Sequence, residues 1–368
     1  MGKYSQNLIK NLLSIDKNNH YFLYFTFFRQ QKIRRRLIEK ILDPLGKNVN
    51  IRVLPIPAAW WEFLTRTNFP IKKIIKDPLD VFFAPYASGI PKNSFSKTVF
   101  TCHDLVFLRF PEHRGKKLSN YYLKRHQTAC RNSQKIIVPS LSTKNDLGNF
   151  LKIPPEKIVI IGEAADEKFK VIKDKKITRK IISKYFDPEI SYFLSVGTLE
   201  PRKNLAKLVE AFARLPNAIL KKYRLVLVGA QGWNNQNLLK TINNLNLKDK
   251  VIFPGFVSDE DLPYIYNQAA IFIYPSLYEG FGLPPLEAMA CGTPSICSNI
   301  SSMPEVVGKA GILINPNDEE EINQAIKKLI LKPILRKKLA LAGLKQAKKF
   351  SWKKTAKETL KVFKAIIH

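Results

Sequence analysis

The sequence predicts an α/β protein made of two successive doubly wound parallel sheets. Three observations carry this. A chain of 368 residues is long enough for two domains, at roughly 150 residues per domain. Apolar residues make up 45% and charged residues 25%, the balance of a globular chain with a sizeable core. Short β-branched or aromatic runs alternate with helical periodicity almost from end to end, which is the pattern of βαβ units.

In chain order, the first-half runs are Tyr21–Phe27, Asn50–Leu54, Val81–Ala84, Thr98–Thr101, Lys135–Pro139 and Ile158–Ile161. The second-half runs are Tyr192–Gly197, Arg224–Gly229, Val251–Phe253, Ala270–Tyr274, Thr293–Cys297 and Gly311–Ile314. Between the sets lies a lysine-rich tract ending in Asp187-Pro188. The expected organisation is a first domain over residues 1–170, a linker over 171–190 and a second domain over 191–345. A C-terminal helix over 346–368 is expected to pack back on the first domain.

Several classes are excluded. The longest strongly apolar run, Tyr21 to Phe28, is far short of the roughly 20 residues of a membrane-spanning helix. Met1-Gly2-Lys3-Tyr4 opens a polar amphipathic stretch with no secretory signal. Cys102, Cys130, Cys291 and Cys297 show no CxxC spacing, which argues against a zinc site or a disulfide framework. A reducing cytoplasm fits these features.

Charge is the first unusual feature. Residues 1–180 hold 35 basic and 14 acidic side chains, a difference of +21, out of a total net charge of +31. A basic half can serve nucleic acid, anionic lipid headgroups or phosphorylated substrates, or be a solvated surface. Its densest cluster, Arg34-Arg35-Arg36, lies in the helical stretch Gln31 to Leu42. No zinc-finger spacing or RNA-binding aromatic motif accompanies the charge, so no nucleic-acid partner is expected. An anionic membrane surface fits the charge and the Ala58-Ala59-Trp60-Trp61-Glu62-Phe63 segment.

Two turns in the second half carry the chemistry. The strand ending at Gly197 runs into Thr198-Leu199-Glu200-Pro201-Arg202-Lys203-Asn204 and a helix opens near Leu205. Loops at the carboxyl ends of parallel strands are where doubly wound folds bind ligands. Arg202 and Lys203 there suit an anion, aided by the positive end of the following helix, unless they are merely a solvated helix start. The second turn follows Ile271–Tyr274 and reads Glu279-Gly280-Phe281-Gly282-Leu283, with Pro284-Pro285 at an expected helix start and Gly292 at its stop. Gly280 and Gly282 would let the backbone approach a ligand and offer N–H groups to phosphate. Glu287, placed in the first helical turn, can accept from paired sugar hydroxyls or simply complement the helix dipole.

These residues resemble family 4 of the retaining nucleotide-sugar glycosyltransferases, which have the GT-B fold. Val196 to Leu205 resembles the family's phosphate-binding turn. Glu279 to Gly292 resembles its E-x7-E signature, and Pro304-Glu305-Val306-Val307-Gly308 the loop that follows. Thr101-Cys102-His103-Asp104-Leu105 resembles the family's histidine-aspartate turn, and Asp80 to Pro85 and Val138 to Thr143 also match. Trp60-Trp61 and Ala84-Pro85-Tyr86 most resemble mannosyl- and rhamnosyltransferase members.

The resemblance implies two Rossmann-like domains facing a cleft, and a hexosyltransferase that moves a hexose, mannose foremost, from a nucleotide sugar such as GDP-mannose. The acceptor would be a saccharide or lipid-linked saccharide of cell-surface polysaccharide synthesis, and the enzyme cytoplasmic or peripheral on the inner membrane face. His103, Glu279, Arg202 and Lys203 are the implied catalytic residues. Gly197, Arg202, Lys203, Val257, Glu279, Gly280, Phe281, Gly282, Leu283 and Glu287 are the implied donor-binding residues. In that picture Arg202 and Lys203 hold the diphosphate and Glu287 the ribose, while the Gly255–Ser258 turn frames the base. His103 reaches the sugar as an imidazole able to donate or accept near pH 7. The two cations and a helix N-terminus would stabilise the leaving group, so neither a metal nor another cofactor is expected. Asp259-Glu260-Asp261 follows Ser258 at a helix start and reads as capping.

Family members usually begin with a strand and a glycine-containing loop upstream of a segment like Gly2 to Leu8. This sequence starts inside that segment, so the first domain is expected to lack its N-terminal first strand. Two rivals share parts of the pattern: a non-transferase GT-B enzyme, and an inactive protein that binds carbohydrate, nucleotide or RNA. A phosphorylase would need a pyridoxal-phosphate lysine, and no suitable context for one stands out.

Overall fold

The structure is a computed structural model, and it describes residues 2–42, 46, 48–92, 97–232 and 235–367. The chain divides into two compact units, residues 1–163 together with 351–368, and residues 164–350.

In the first unit, β1 (Tyr21–Thr26) and β2 (Val49–Leu54) form a parallel pair. A separate parallel sheet runs in the order β3 (Phe82–Ala84), β4 (Thr98–Thr101), β5 (Lys135–Val138) and β6 (Ile158–Ile160). Phe100, Ile136, Val138 and Leu147 pack on one face of this larger sheet. Val99, Ile137 and Ile161 meet Val362 of the last helix, Trp352–Ile367, on the other. That helix also packs along α1 (Lys3–Ile15). Tyr4 of α1 is buried there, its hydroxyl 2.9 Å from Thr101 Oγ1 and its ring edge-on to Trp352. Residues of β1, β3, α1 and the last helix line a cavity of about 1060 Å³.

The second unit holds one six-stranded parallel sheet. Its strands are β7 (Ser191–Val196), β8 (Tyr223–Val228), β9 (Val251–Gly255), β10 (Ile271–Tyr274), β11 (Ser295–Ser298) and β12 (Ile312–Ile314). They lie in the order β12-β11-β10-β7-β8-β9. Successive residues of β7 serve opposite faces, Phe193 in one apolar cluster and Tyr192 and Leu194 in the other. A central strand covered by helices on both faces is therefore largely apolar, as the sequence run predicted, with Ser191 and Ser195 as the exceptions in β7. The strand order reverses between β7 and β10, so the turns after these two strands open at the switch point where doubly wound sheets bind ligands.

The expected linker over 171–190 is corrected. Lys175–Ile182 is a helix whose first turn is capped by Asp174, the carboxylate accepting from the Ile177 N–H at 2.9 Å. Ile182 is buried against the second unit's core. Its lysines occupy the exposed side of an amphipathic helix, which is why composition alone read as linker.

Candidate active site

The turn after β7 is built on glycine contacts. A Cβ at Gly197 would lie 3.2 Å from Lys203 Cε, and one at Gly229, after β8, would lie 2.0 Å from the Gly197 carbonyl oxygen. Only glycines let these two strand ends approach so closely. The chain then tightens into a short 3₁₀ turn over Pro201–Lys203 and passes through Asn204 at φ 57°. The Asn204 side chain holds that left-handed turn by donating to the Pro316 carbonyl at 2.6 Å.

This turn delivers two cations to one carboxylate. Lys203 Nζ lies 2.6 Å from Glu279 Oε1 and 2.5 Å from the Tyr274 hydroxyl. Arg202 Nη1 lies 2.8 Å from Glu279 Oε2. Arg202 Nε and Nη2 donate to Glu200 Oε1, and Nη1 also reaches the Tyr278 carbonyl. The Tyr274 hydroxyl donates to Glu279 Oε1 at 2.8 Å, and the Ser276 hydroxyl donates to the same oxygen at 2.6 Å. Side-chain exposures of 15% for Arg202, 9% for Lys203 and 12% for Glu279 make this a nearly dry network. Two cations and two carboxylates balance, as groups this buried must.

The charges are mutually fixed. Burial opposes ionisation of Glu279, but the Lys203 and Arg202 cations and the Lys203 and Ser276 hydrogen bonds outweigh it, and its pKa falls from 4.5 to about 2. Arg202 is raised, Glu279, Tyr274 and Glu200 overcoming burial. Burial, joined by the neighbouring Arg202 charge, lowers Lys203 despite Glu279. A guanidinium has five N–H donors and an ammonium three. The contacts above engage four and two of these, leaving one donor on each for a ligand anion.

After β10, Ser301 and Ser302 hydroxyls bind the Glu279 carbonyl, Ser302 also reaches that of Phe281, and the Glu279 N–H donates to Ser301 Oγ at 3.0 Å. The helix Leu283–Ala290 follows, with Gly282 at φ 114° as its N-cap. Pro284 and Pro285 bring no N–H, so among its first residues Leu283 presents a donor at the opening end.

The positions of Glu287 and Val257 differ from expectation, and Gly282 has a further reason to be glycine. Glu287 lies one turn into this helix, not in its first turn. It is buried and accepts from the Tyr266 hydroxyl at 2.9 Å, which makes it more than a counter-charge for the dipole. Gly282 is required by its positive φ and by Met303, whose Cε would lie 2.3 Å from a Cβ. Val257 packs in the apolar core, while its neighbour Phe256 is 75% exposed. Gly255 turns the chain at φ 76°, so Phe256 and not Val257 presents its side chain outward.

Two residues of the acidic triplet are held in local contacts. Asp261 takes the Tyr185 hydroxyl at 2.7 Å and Lys184 at 3.2 Å, its N–H donates to Ser258 Oγ at 3.1 Å, and Glu260 pairs with Lys168 at 3.0 Å. In the first unit, His103 follows β4 and engages both ring nitrogens within that unit, Nδ1 with Glu163 and Nε2 with the Pro85 carbonyl, each at 3.0 Å. Sequence reasoning missed Glu163, Tyr274, Tyr266, Glu200 and Gly229. Tyr274 and Glu200 had a local signal, each standing within a few residues of the motif it completes.

Comparison with known proteins fits this arrangement. Residues 2–169 match the model "Glycosyltransferase Family 4", and residues 174–346 match "Glycosyl transferases group 1". The O-antigen chain mannosyltransferase B of Escherichia coli is 34% identical over 270 residues, covering 73% of this chain and 71% of that protein. The serotype-specific mannosyltransferase WbdA of Escherichia coli is 32% identical over 287 residues, 77% of this chain, but the match spans only 35% of its length. The solved structure of HepE from Anabaena, in complex with UDP and glucose, superimposes with a TM-score of 0.73 at 19% identity, covering 99% of this chain and 96% of that one. The architecture is that of a GT-B glycosyltransferase. The chain belongs to the group 1, family 4 glycosyltransferases.

Proposed function

We propose that the protein is a retaining mannosyltransferase that uses GDP-mannose and extends a saccharide or lipid-linked saccharide in cell-surface polysaccharide synthesis. The observation that carries this reading is the buried Arg202–Lys203–Glu279 network at the switch point of the second sheet. The names of its relatives, O-antigen chain and serotype-specific mannosyltransferases, support the sugar and the setting. In this reading the remaining donors of Arg202 and Lys203 bind the diphosphate, joined by backbone N–H groups of Phe281, Gly282 and Leu283. Glu287 and Tyr266 hold the ribose side, and the Gly197 turn leaves room for the pyrophosphate. Negative charge that builds as the glycosidic bond breaks meets cations already fixed in place, which lowers the barrier without reorganisation.

Among the described residues no helix is long and apolar enough to cross a membrane. Contact with an anionic lipid surface through the first unit is supported by α2 (Gln31–Leu42) and α3 (Ala58–Arg66). Ile33 and Leu37 are exposed beside Arg34, Arg35 and Arg36, and Trp60 and Phe63 are more than half exposed. Such apolar and basic side chains together suit a headgroup boundary.

Transfer assays with GDP-mannose, UDP-glucose, ADP-glucose and dTDP-rhamnose test the reading. Turnover of GDP-mannose well above the others is expected. Transfer from UDP-glucose alone would replace the sugar and base, and hydrolysis or transfer from none would leave an inactive binding protein.

A further inference from the structure

One buried ionisable pair lies outside the second unit's site. His103 follows β4 and Glu163 follows β6, with β5 between them in the sheet. Their loops nevertheless meet, Nδ1 of His103 lying 3.0 Å from Glu163 Oε1, and Nε2 lies 3.0 Å from the carbonyl of Pro85, which follows β3. Three strand ends thus converge on one imidazole at the carboxyl edge of the first sheet.

With Glu163 ionised, both partners only accept. A backbone carbonyl has no proton, and a carboxylate as enclosed as that of Glu163, at 7% exposure, needs a donor. A neutral imidazole carries one N–H and would leave one partner facing a lone pair. The imidazolium carries two and satisfies both. Two aromatic rings enclose the imidazole, Tyr4 perpendicular to it at 4.6 Å between ring centroids and Tyr86 tilted at 5.2 Å. Burial disfavours the charge, but the Glu163 hydrogen bond and charge outweigh it, and the pKa of His103 is raised above 6.5. The other ionisable groups around the ring are Asp104, which adds negative charge, and His126, which burial holds towards its neutral form.

We infer that Glu163 is a positioning residue that keeps His103 doubly protonated, so that His103 serves the transfer as a fixed positive charge and not as a proton acceptor. About a quarter of the His103 side chain is exposed, so its charge is felt at the sheet edge although both nitrogens are committed. The inference rests on the transferase reading above. It assigns a role to a residue that no spacing in the sequence marks, and it replaces the neutral imidazole expected there.

The test is a histidine-¹⁵N NMR titration of the whole chain, run beside pH profiles of kcat with GDP-mannose. At pH 6.5 the His103 ring should carry both protons in most molecules. Glu163→Gln should lower its titration by about 1–3 units, the effect of losing an adjacent opposite charge. The alkaline limb of kcat should move down by the same interval, and Glu163→Asp should restore part of it. A parent ring that is neutral at pH 6.5, or a Glu163→Gln profile that overlays the parent's, would overturn the inference. The parent titration decides the proton state even if Glu163→Gln does not fold. No transfer from any nucleotide sugar, with the titration as expected, would sink the transferase reading and the role of His103 in it, while the proton state would stand.

Discussion

Glu279 is tied to Arg202, Lys203, Tyr274 and Ser276 at once, so its removal takes from Lys203 its carboxylate and leaves Arg202 with Glu200 alone in a dry pocket. Breaking a buried pair from one side typically costs about 3–5 kcal/mol. Glu279→Ala should therefore lower stability by that order in denaturant unfolding, beyond any loss of turnover, and a variant as stable as the parent would contradict the network. Its depressed pKa also fixes a pH window. The stability this carboxylate contributes is fully present above about pH 4.5 and is lost as pH falls towards 2. Unfolding followed across that interval should show a parent-minus-Glu279→Gln difference that shrinks as the pH drops. Glu287 differs, accepting from the neutral Tyr266 hydroxyl at 2.9 Å. Glu287→Gln should keep the fold and weaken GDP-mannose binding by about 1.5–3 kcal/mol, the range for hydrogen bonds to a charged group; calorimetry reads this directly. Arg202, Lys203, Glu279 and Glu287 were legible because each stands in a contiguous turn with a chemical pattern. Glu163 was not, because its partner lies 60 residues away across an intervening strand.

At the scale of elements, the strands of the described residues lie where apolar runs predicted them, most plainly in the second sheet, whose central strands are buried on both faces. Turn detail was less legible. Whether Phe256 or Val257 faces outward depends on the backbone reversal at Gly255, which composition does not encode. The same logic makes Gly229 decisive although no motif contains it. A Cβ there would overlap the Gly197 carbonyl at 2.0 Å, forcing the β7 and β8 ends apart. Gly229→Ala should cost about 1–3 kcal/mol in stability, as overpacking does. It should also raise KM for the donor, because the Arg202–Lys203 turn hangs from the same strand end. An Ala variant with parental stability and KM would show that the turn is not braced there.

For the whole molecule, the uneven charge and the exposed Trp60, Phe63, Ile33 and Leu37 belong to the first unit, whereas the cation–carboxylate network belongs to the second. Flotation with anionic and neutral vesicles should show binding to the anionic ones alone, weakening with salt as surface electrostatics are screened. Replacing Trp60 and Phe63 by serine should reduce it without changing donor affinity. Equal flotation on both vesicle types would remove the lipid surface as a partner. Two α/β units were legible at this scale from length and strand alternation, but not that the first unit divides its described strands between a β1–β2 pair and a separate four-stranded sheet. The 171–190 boundary was misread because the lysines of one exposed helix face resemble those of a linker.

Transition-state stabilisation by Lys203 is tested most directly by kcat for GDP-mannose transfer by Lys203→Ala, in buffer containing EDTA, beside the parent. An interaction that strengthens as the bond breaks lowers kcat when removed, not only affinity. The parent should keep its rate in EDTA, and Lys203→Ala should lose on the order of 10²–10³ in kcat, as on removing one preorganised donor to a developing anion. A parent inactivated by EDTA and restored by Mn²⁺, with Lys203→Ala near the parental rate, would contradict it.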